Sequence, residues 1–290
     1  MRGTRAAVLG HPIDHSLSPA LHGAAYRLLG VDIDYSRRDV DLGGLPRFLA
    51  TEGADQDWVG WSVTMPLKAA MVSHMDTVSA RVETLGVLNT VVHGPDGMHG
   101  ENTDVDGIVT ALGEAGLRTG AADQGRFGVI GAGSTAAAAL AAAAELGFRE
   151  ARSYARSPQR AQALLPVAEA LGLRLRLLPL DELGGDLAGD ELAAVVSTLP
   201  PRAADELAPA LPRLLQNVAL LDVAYDPWPS VLAGAWERAG GQVVSGLAML
   251  LHQAVRQVER FTAASSRPAA SLSAEEHSEL VARMRAALPR

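Results

Sequence analysis

The chain has 290 residues, of which 48% are hydrophobic and 20% are charged, and its formal net charge is −8. This is the composition of an ordinary soluble globular protein with one large or two ordinary domains, and a negative charge without any basic block argues against a nucleic-acid partner. Because the sequence has no cysteine, disulfides, zinc–thiolate sites and thiol nucleophiles are excluded. The apolar run after Arg5 is too short for a signal peptide or a membrane span, so we expect a cytoplasmic protein with no membrane partner.

The first predicted strand, residues 5–9, is followed by a loop that contains two serines. Ser18 is suited to be a helix N-cap, and Pro19 after it is suited to the first helical position. This pair predicts a helix through Leu29. Ser16 and Ser18 face the same side of an extended loop, because alternate residues do so. Two hydroxyls beside a helix N-terminus are suited to bind a carboxylate, although both can also be interpreted as capping groups.

A second strand is predicted at residues 33–40 and a short helix at 42–49. The alternating residues 62–65 form the next predicted strand, which a proline ends, and a helix is predicted over 69–83. Lys68 therefore lies where a strand gives way to a helix, a common position for site residues in open α/β sheets. A solvated surface lysine is the alternative interpretation.

The sequence G-P-D-G at residues 94–97 predicts a hairpin turn, which would bring Asn89 and Asn102 onto neighbouring strands. Polar residues are dense at the end of this apolar pair of strands. They can belong to a site, or residues 102–104 can be a turn and cap before the helix predicted at 108–115. The polar residues of this cluster are Asn89, Thr90, Asn102, Thr103 and Asp104.

A nucleotide-binding turn is predicted just before the middle of the chain. Residues 127–130 form a short buried strand, residues 131–136 have the spacing G-x-G-x-x-A, and an Ala/Leu-rich helix follows to Leu146. The first glycine allows the turn, the second lets a pyrophosphate approach the backbone, and the small third residue lets helix and strand pack closely. The alternative is a glycine-rich turn in an unrelated α/β sheet. The predicted cofactor contacts here are Gly131, Ala132, Gly133, Ser134, Thr135 and Ala136.

The next predicted strand, residues 151–155, ends without the Asp or Glu that binds the ribose 2′-hydroxyl of NAD in dinucleotide domains. Arg156, Ser157 and Arg160 follow it instead. Two guanidinium groups and a hydroxyl suit a 2′-phosphate, because Arg binds phosphate oxygens through a two-pronged fork. Solvated arginines are the alternative, but the pattern favours NADP as the cofactor.

The remaining elements continue the alternation of strands and helices, which predicts a mostly parallel, doubly wound sheet. Tyr225 lies just beyond the end of a strand, where such sheets bind their ligands. Met249 and Gln253 are four residues apart and share one face of a long helix. The predicted strands are 174–178, 195–199, 220–225 and 242–244, and the predicted helices are 160–171, 246–263 and 274–287.

Seven motifs, in chain order, resemble those of the shikimate dehydrogenase family. Residues 10–22 resemble its substrate loop G-x-P-x-x-H-S-x-S-P-x-x-H, residues 62–68 its N-V-T-x-P-x-K segment, residues 86–90 its G-A-x-N-T segment and residues 102–107 its N-T-D-x-x-G segment. Residues 156–160 resemble its N-R-T-x-x-R motif for NADP, residues 222–227 its D-x-x-Y-x-P motif and residues 246–253 its G-x-x-M-L-x-x-Q motif. Each motif is modest, but seven in the same order across most of the chain are specific.

The resemblance implies a reversible reduction of 3-dehydroshikimate to shikimate that uses NADPH and no metal. It implies that Lys68 and Asp104 form the catalytic pair, since hydride addition builds negative charge on the ketone oxygen and a lysine can donate a proton to it. It also implies that Ser16 and Ser18 hold the substrate carboxylate. The other implied substrate contacts are Thr64, Asn89, Tyr225 and Gln253, and the further implied cofactor contacts are Thr198, Gly246 and Met249.

The family architecture implies an α/β protein with two α/β domains. Residues 109–245 are expected to form a doubly wound Rossmann domain that binds NADP. Residues 1–108 together with 246–290 are expected to form the substrate-binding catalytic domain, with a mixed, mainly parallel sheet. The expected partner is the small-molecule substrate, and the expected assembly is a monomer or a homodimer.

Four positions depart from the family's patterns, and none of them removes a catalytic group. Ser62 can widen or re-aim the substrate pocket, which keeps quinate and aminoshikimate dehydrogenases open as alternatives. A ligand-sensing regulator without turnover is a third alternative, against which the intact Lys68 and Asp104 argue. The departures are Ser62 for an asparagine, Ser134 for the third glycine of G-A-G-G, and Ser245 and Ala248 for the aspartate and second glycine of D-G-L-G-M.

Overall fold

A computed structural model describes residues 4–117, 125–189 and 191–289 of the chain, and the side chain of Arg160 lies outside this description. The strands are β1 (Thr4–Gly10), β2 (Ile33–Asp39), β3 (Trp58–Val63), β4 (Thr77–Val78), β5 (Thr90–Gly94), β6 (Gly97–Glu101), β7 (Arg126–Ile130), β8 (Glu150–Ala155), β9 (Arg174–Pro179), β10 (Leu192–Ser197), β11 (Ala219–Asp222) and β12 (Gln242–Ser245). The α-helices are α1 (Ser18–Leu29), α2 (Leu45–Ala50), α3 (Ala80–Leu85), α4 (Asp104–Glu114), α5 (Ser134–Glu145), α6 (Leu164–Ala170), α7 (Leu183–Ala188), α8 (Val231–Arg238), α9 (Gly246–Phe261) and α10 (Ala274–Arg285). Within the described ranges, none of them is both long and apolar enough to cross a membrane.

The chain divides into two compact units. The first consists of Met1–Thr103 and Leu250–Arg290, and the second of Asp104–Met249. The boundaries expected from the sequence, after residue 108 and before residue 246, both fall inside the second unit and remain a prediction of the domain limits.

The first unit contains a six-stranded mixed sheet in the order β2-β1-β3-β5-β6-β4. β1 pairs in parallel with β2 and β3, and β4 pairs in parallel with β6. β5 is antiparallel to both β3 and β6. The mixed, mainly parallel sheet expected for this part of the chain is therefore confirmed.

Two hydrophobic clusters pack on this sheet and its helices. One joins the sheet to α2 and α3 and includes Phe48, Trp61 and Val82, of which Trp61 and Val82 are fully buried. The other joins α1, α9 and α10 and includes Leu21 and Leu280. These contacts fix the positions of α1 and α9, which carry the predicted site residues Ser18 and Gln253.

The second unit contains a parallel six-stranded sheet in the order β12-β11-β10-β7-β8-β9. Numbered from β7, this order reads 3-2-1-4-5-6 from its other edge, which is the order of doubly wound dinucleotide-binding folds. The strand order reverses between β7 and β10, and ligands bind beyond the carboxyl ends of the strands at such a point. The predicted doubly wound fold is therefore confirmed.

The helix predicted over residues 69–83 is wrong. The structure has a 3₁₀ helix at Ala70–His74, then β4, and then α3. β4 pairs with β6, and Asp76 reinforces this pairing because its carboxylate accepts from the N–H of Met98 over 2.7 Å. A new helix can start after β4 because Ser79 caps it, accepting from the N–H of Val82.

Sequence reasoning missed α7 and α8. α7 contains Gly184 and Gly185, and glycine is a poor helix former, so local preference does not predict this helix. α8 follows two prolines and begins after Ser230, whose hydroxyl accepts from the N–H of Ala233 over 3.0 Å. That serine cap is the local signal that could have revealed α8.

Candidate active site

Several predicted site residues meet at one edge of the first unit's sheet. β1 and β3 are parallel, so both end at this edge, while the antiparallel β5 begins there. Ser16 and Ser18 follow β1, Thr64 and Lys68 follow β3, and Asn89 immediately precedes β5. The edge therefore brings together residues from three separate motifs.

The loop after β1 lies directly against the segment after β3. The N–H of His11 donates to the carbonyl oxygen of Met65 over 3.0 Å, and the N–H of Thr64 donates to that of Leu9 over 2.9 Å. A side chain at Gly10 would collide with the Thr64 methyl group and the Met65 carbonyl. Glycine is therefore required here for the two segments to approach each other.

The two serines have different surroundings. Ser18 is buried in the first turn of α1, and no side chain caps this helix, so the prediction that Ser18 is its N-cap is wrong. Ser16 is half-buried, and its hydroxyl oxygen is 3.4 Å from the N–H of Ser18. Arg37 holds the loop from the side, because its Nε donates to the Ser16 carbonyl over 3.0 Å.

Sequence reasoning missed Arg37 and its neighbour Tyr35. Both are on β2, and the alternation of a strand directs them to the same face, beside the loop after β1. The hydroxyl of Tyr35 donates to Ser62 over 2.6 Å, and burial raises the pKa of this hydroxyl, which therefore stays protonated. The signal that could have identified them is the polar pair at alternate positions of a strand next to the serine loop.

Lys68 is half-buried in the turn between β3 and the following 3₁₀ helix. Its carbonyl accepts from the N–H of Leu88 over 3.0 Å, which holds it beside the segment that carries Asn89. Lys68 is also the chain's single lysine, although lysine and arginine together number 25. Lysine can give up its proton and arginine cannot, so this exception to the arginine bias is a further signal in the sequence that points to Lys68.

Asn89 is buried, and its amide is oriented by surrounding groups. Its Oδ1 accepts from the N–H of Thr103 over 2.7 Å and from the hydroxyl of Thr90 over 2.8 Å. Its Nδ2 donates to Thr103 Oγ1 over 3.0 Å and to Gln253 Oε1 over 3.3 Å. Asp104 follows Thr103 directly and is buried as the first residue of α4, in the second unit.

In the second unit, the predicted nucleotide turn joins β7 to α5. Gly131 has a φ of 116°, and a side chain there would collide with the Thr198 hydroxyl, so both the backbone and the packing require glycine. Around Gly133 there is open space, which leaves room for phosphate groups to approach the backbone. Ala136 is fully buried, as close packing of helix and strand requires. The turn therefore fits a pyrophosphate at the N-terminus of α5.

Thr198 lies under this turn, just after β10. Its N–H donates to the carbonyl of Ile130 over 2.8 Å, and its hydroxyl donates to the same oxygen over 2.9 Å. These bonds join β10 to the end of β7, where the strand order reverses. Thr198 therefore lies beside the glycine turn.

Arg156 and Ser157 directly follow β8, which is the neighbour of β7. Arg156 is exposed, and the Ser157 hydroxyl donates to Gln159 Oε1 over 3.2 Å. Arg160, the third residue predicted at this position, begins a 3₁₀ helix, and its side chain lies outside the described residues. The position and charge of Arg156 fit a 2′-phosphate on the adenosine ribose.

The remaining predicted residues follow β11 and β12. Tyr225 is half-buried, and burial, together with the charge of Asp226, raises the pKa of its hydroxyl. A side chain at Gly246 would collide with the Val223 carbonyl, so α9 begins in close contact with the end of β11. Met249 is buried one turn further along α9. The structure thus places these three residues at the carboxyl edge of the parallel sheet.

Comparisons with known proteins identify the family of this chain. Residues 8–91 match the family model described as the shikimate dehydrogenase substrate binding domain. A relative from Methylobacterium radiotolerans named shikimate dehydrogenase (NADP(+)) is 37% identical over 256 residues, covering 87% of this chain and 88% of the relative. The crystal structure of Mycobacterium tuberculosis shikimate dehydrogenase matches with a TM-score of 0.80 and 39% identity, covering 99% of this chain and 100% of that one.

A shikimate 5-dehydrogenase from Thermus thermophilus, solved in complex with NADP(H) and shikimate, matches with a TM-score of 0.76 and 31% identity. The match covers 98% of this chain and 100% of that one. Similarity in sequence and in fold therefore extends over nearly the whole length of each protein. The chain belongs to the shikimate dehydrogenase family.

Proposed function

We propose that this protein is an NADP-dependent shikimate dehydrogenase, which reversibly reduces 3-dehydroshikimate to shikimate. The observation that carries the proposal is the sheet edge of the first unit, where two serines, a lysine and two buried amides converge. That set can bind a carboxylate, donate a proton and contact ring hydroxyls. It matches the chemical groups of the substrate.

Substrate binding is assigned to six residues. The hydroxyls of Ser16 and Ser18 are assigned to the substrate carboxylate as hydrogen-bond donors. Asn89 is assigned a ring hydroxyl as its partner: its Oδ1 is already occupied by Thr103 and Thr90, and Nδ2 would donate to the substrate in place of its 3.3 Å bond to Gln253 Oε1. Further contacts to the substrate ring are assigned to Thr64, Gln253 and Tyr225.

The chemistry needs a proton donor beside the substrate carbonyl. NADPH supplies a hydride to the carbonyl carbon. As negative charge develops on the carbonyl oxygen, Lys68 donates a proton from Nζ to it, and in the reverse direction Lys68 accepts the proton from the hydroxyl. Asp104 is proposed to orient the reacting hydroxyl as a hydrogen-bond acceptor. The single lysine of the chain supports the role of Lys68, since arginine could not perform this step.

The cofactor is assigned to the second unit. The Gly131–Ala136 turn and the N-terminus of α5 bind the pyrophosphate, because backbone N–H groups and the helix dipole favour anions. Arg156, Ser157 and Arg160 bind the 2′-phosphate and thereby select NADP over NAD. Thr198, Gly246 and Met249 are assigned to the nicotinamide half of the cofactor.

Initial-rate assays test this proposal. Shikimate, quinate and aminoshikimate are each oxidised with NADP⁺ and with NAD⁺, and kcat/KM is compared. We expect shikimate with NADP⁺ to exceed every other pair by about tenfold or more, since missing or added hydrogen-bond partners in a built polar site are strongly rejected. A higher value with quinate or aminoshikimate would support those alternatives, and shikimate binding without turnover would support a sensor.

The proposal also includes a cytoplasmic location and a monomeric or homodimeric assembly. Sedimentation velocity measures the assembly.

A further inference from the structure

A network of buried polar side chains lies beneath the substrate edge of the first unit. At its centre is Gln257, one turn after Gln253 on α9 and only 1% exposed. No motif that points to the family includes Gln257. A buried amide is costly unless every polar atom has a partner.

The Gln257 amide uses its full hydrogen-bonding capacity. Its Nε2 donates to the Asn89 carbonyl over 3.1 Å and to Thr90 Oγ1 over 3.0 Å. Its Oε1 accepts from the Ser62 hydroxyl over 2.7 Å and lies 3.2 Å from His22 Nε2. A primary amide offers two N–H donors and one oxygen with two lone pairs, so these four partners complete the set.

Burial fixes the proton positions in this network. His22 is fully buried, and desolvation lowers its pKa to about 3 despite the opposing effect of its hydrogen bond to Gln257. The ring is therefore neutral, so Nε2–H donates to Gln257 and Nδ1 accepts from the Tyr26 hydroxyl over 3.0 Å. The bond between His22 and Gln257 therefore has a fixed direction, with His22 as the donor and Gln257 Oε1 as the acceptor.

The direction of the bonds continues from Gln257 to Asn89. Because Thr90 Oγ1 accepts from Gln257, the hydroxyl hydrogen is left to donate to Asn89 Oδ1, over 2.8 Å. This bond keeps Oδ1 of Asn89 turned towards Thr90 and leaves Nδ2 turned towards Gln253. Gln257 therefore helps to decide which end of the Asn89 amide is presented as a donor.

The serine at position 62 explains why the chain needs the amide of Gln257. The family's pattern has an asparagine there, and Ser62 is directly opposite Thr90 in the β3–β5 pairing. Side chains at opposite positions of an antiparallel pair are about 5 Å apart, within reach of an asparagine amide. The shorter Ser62 instead accepts a hydrogen bond from the Tyr35 hydroxyl over 2.6 Å, and its own hydroxyl donates a hydrogen bond to Gln257 Oε1.

We propose that Gln257 is a positioning residue for substrate binding, which supplies from α9 the amide that position 62 lacks and thereby orients Asn89 towards shikimate. The proposal rests on the proposed function, in which Asn89 contacts the substrate. It means that Ser62 and Gln257 act as one unit, so the serine does not widen the pocket.

Replacement of Gln257 alone tests the first part. Gln257→Ala is expected to raise the KM for shikimate about tenfold, as loss of one oriented hydrogen bond does, with kcat within about threefold and the KM for NADP⁺ unchanged. The matched control is Thr262→Val, just after α9, where a buried hydroxyl donates to the Val258 carbonyl and accepts from the Ala269 N–H. This control is expected to lower the melting temperature without changing the KM for shikimate.

A compensating substitution tests the second part. Ser62→Asn alone crowds Gln257 and is expected to raise the KM for shikimate, whereas Ser62→Asn with Gln257→Ala is expected to restore it to within about threefold of the wild-type value. Additive losses in the double variant would overturn the proposal, and so would an unchanged KM in Gln257→Ala. If Gln257→Ala does not fold, recovery of a folded, active double variant still supports the coupling, and failure of both overturns it.

The wild-type assay separates this inference from the proposed function. Absence of shikimate turnover by the wild-type protein would refute the function, and the inference with it. Normal turnover together with an unaffected Gln257→Ala variant would refute the inference alone.

Discussion

The backbone N–H of Thr103 donates to Oδ1 of Asn89 over 2.7 Å, and this bond turns the amide nitrogen of Asn89 towards Gln253. The bond joins the residue before β5 to the segment after β6, which the hairpin brings to the same edge of the sheet. Asn89 is therefore positioned as a hydrogen-bond donor, and its acceptor oxygen is used internally.

Replacement of Asn89 by aspartate tests this orientation. Asn89→Asp keeps the shape but replaces the donor with an oxygen that faces Gln253 Oε1, so we expect the KM for shikimate to rise about 30- to 100-fold, corresponding to about 2–3 kcal/mol. The measurement is a steady-state titration of shikimate at saturating NADP⁺. The same substitution at the exposed Asn217 is the control and should leave the KM unchanged.

Lys68 provides a second prediction because arginine keeps the charge but does not release a proton at neutral pH. Lys68→Arg and Lys68→Ala are both expected to lower kcat by about 10²–10⁴ with little change in the KM for shikimate. Near-normal turnover in either variant would contradict proton transfer by Lys68. Because the chain has no other lysine, loss of activity on amine acylation, prevented by bound shikimate, would report on this side chain and the N-terminal amine alone.

Local motifs were enough to predict much of this molecule. The doubly wound fold could be predicted because the strand, glycine turn and helix are contiguous in the chain, and Gly131 has a local backbone reason. The helix predicted at 69–83 was wrong because pairing of Thr77 and Val78 with β6 overrode the local preference.

Residues outside the motifs could not be found in this way. Gln257 and Ser62 are 195 residues apart, and their hydrogen bond exists only because α9 packs beneath the β3–β5 pair. Arg37 reaches the Ser16 carbonyl only through the parallel pairing of β1 with β2. Such contacts depend on sheet register and helix packing, which a single sequence does not encode locally. The assigned roles of the site residues remain predictions.

Cofactor selection is tested at Arg156. Arg156→Ala is expected to raise the KM for NADP⁺ about tenfold or more and to leave the KM for NAD⁺ nearly unchanged, because only NADP carries the 2′-phosphate that a guanidinium binds. Arg174→Ala is the control, since this exposed arginine begins β9, at the other end of the strands. An equal effect of Arg156→Ala on both cofactors would remove Arg156 from phosphate recognition.

The two glycines of the nucleotide turn are predicted to fail in different ways. Gly131→Ala meets both a positive φ and the Thr198 hydroxyl, so we expect a loss of stability of about 1–3 kcal/mol. Gly133 has a φ of −93° and open space around it, so Gly133→Ala should fold normally but block the approach of the pyrophosphate. Urea unfolding and NADP⁺ titration distinguish the two effects. Equal stability loss in both variants would contradict the separate roles.

His93 provides a test of pH dependence. Burial lowers its pKa to about 4, and its ring packs edge-on against Trp61 with 4.3 Å between ring centroids. In the unfolded chain, histidine binds a proton below a pH of about 6.5, whereas the folded His93 stays neutral down to a pH of about 4, so this residue destabilises the fold as the pH falls through that window.

Replacement by phenylalanine should remove this pH dependence. Within the described residues Nε2 of His93 has no hydrogen-bond partner, so His93→Phe loses no bond at that atom and keeps the aromatic contact. Between pH 7 and pH 5 the variant should lose about 2 kcal/mol less stability than the wild-type protein, since one fewer proton is taken up on unfolding. Urea unfolding at the two pH values measures the difference, in which the equal contribution of His22 cancels. Identical losses in the two proteins would mean that His93 is already protonated in the folded state at pH 5.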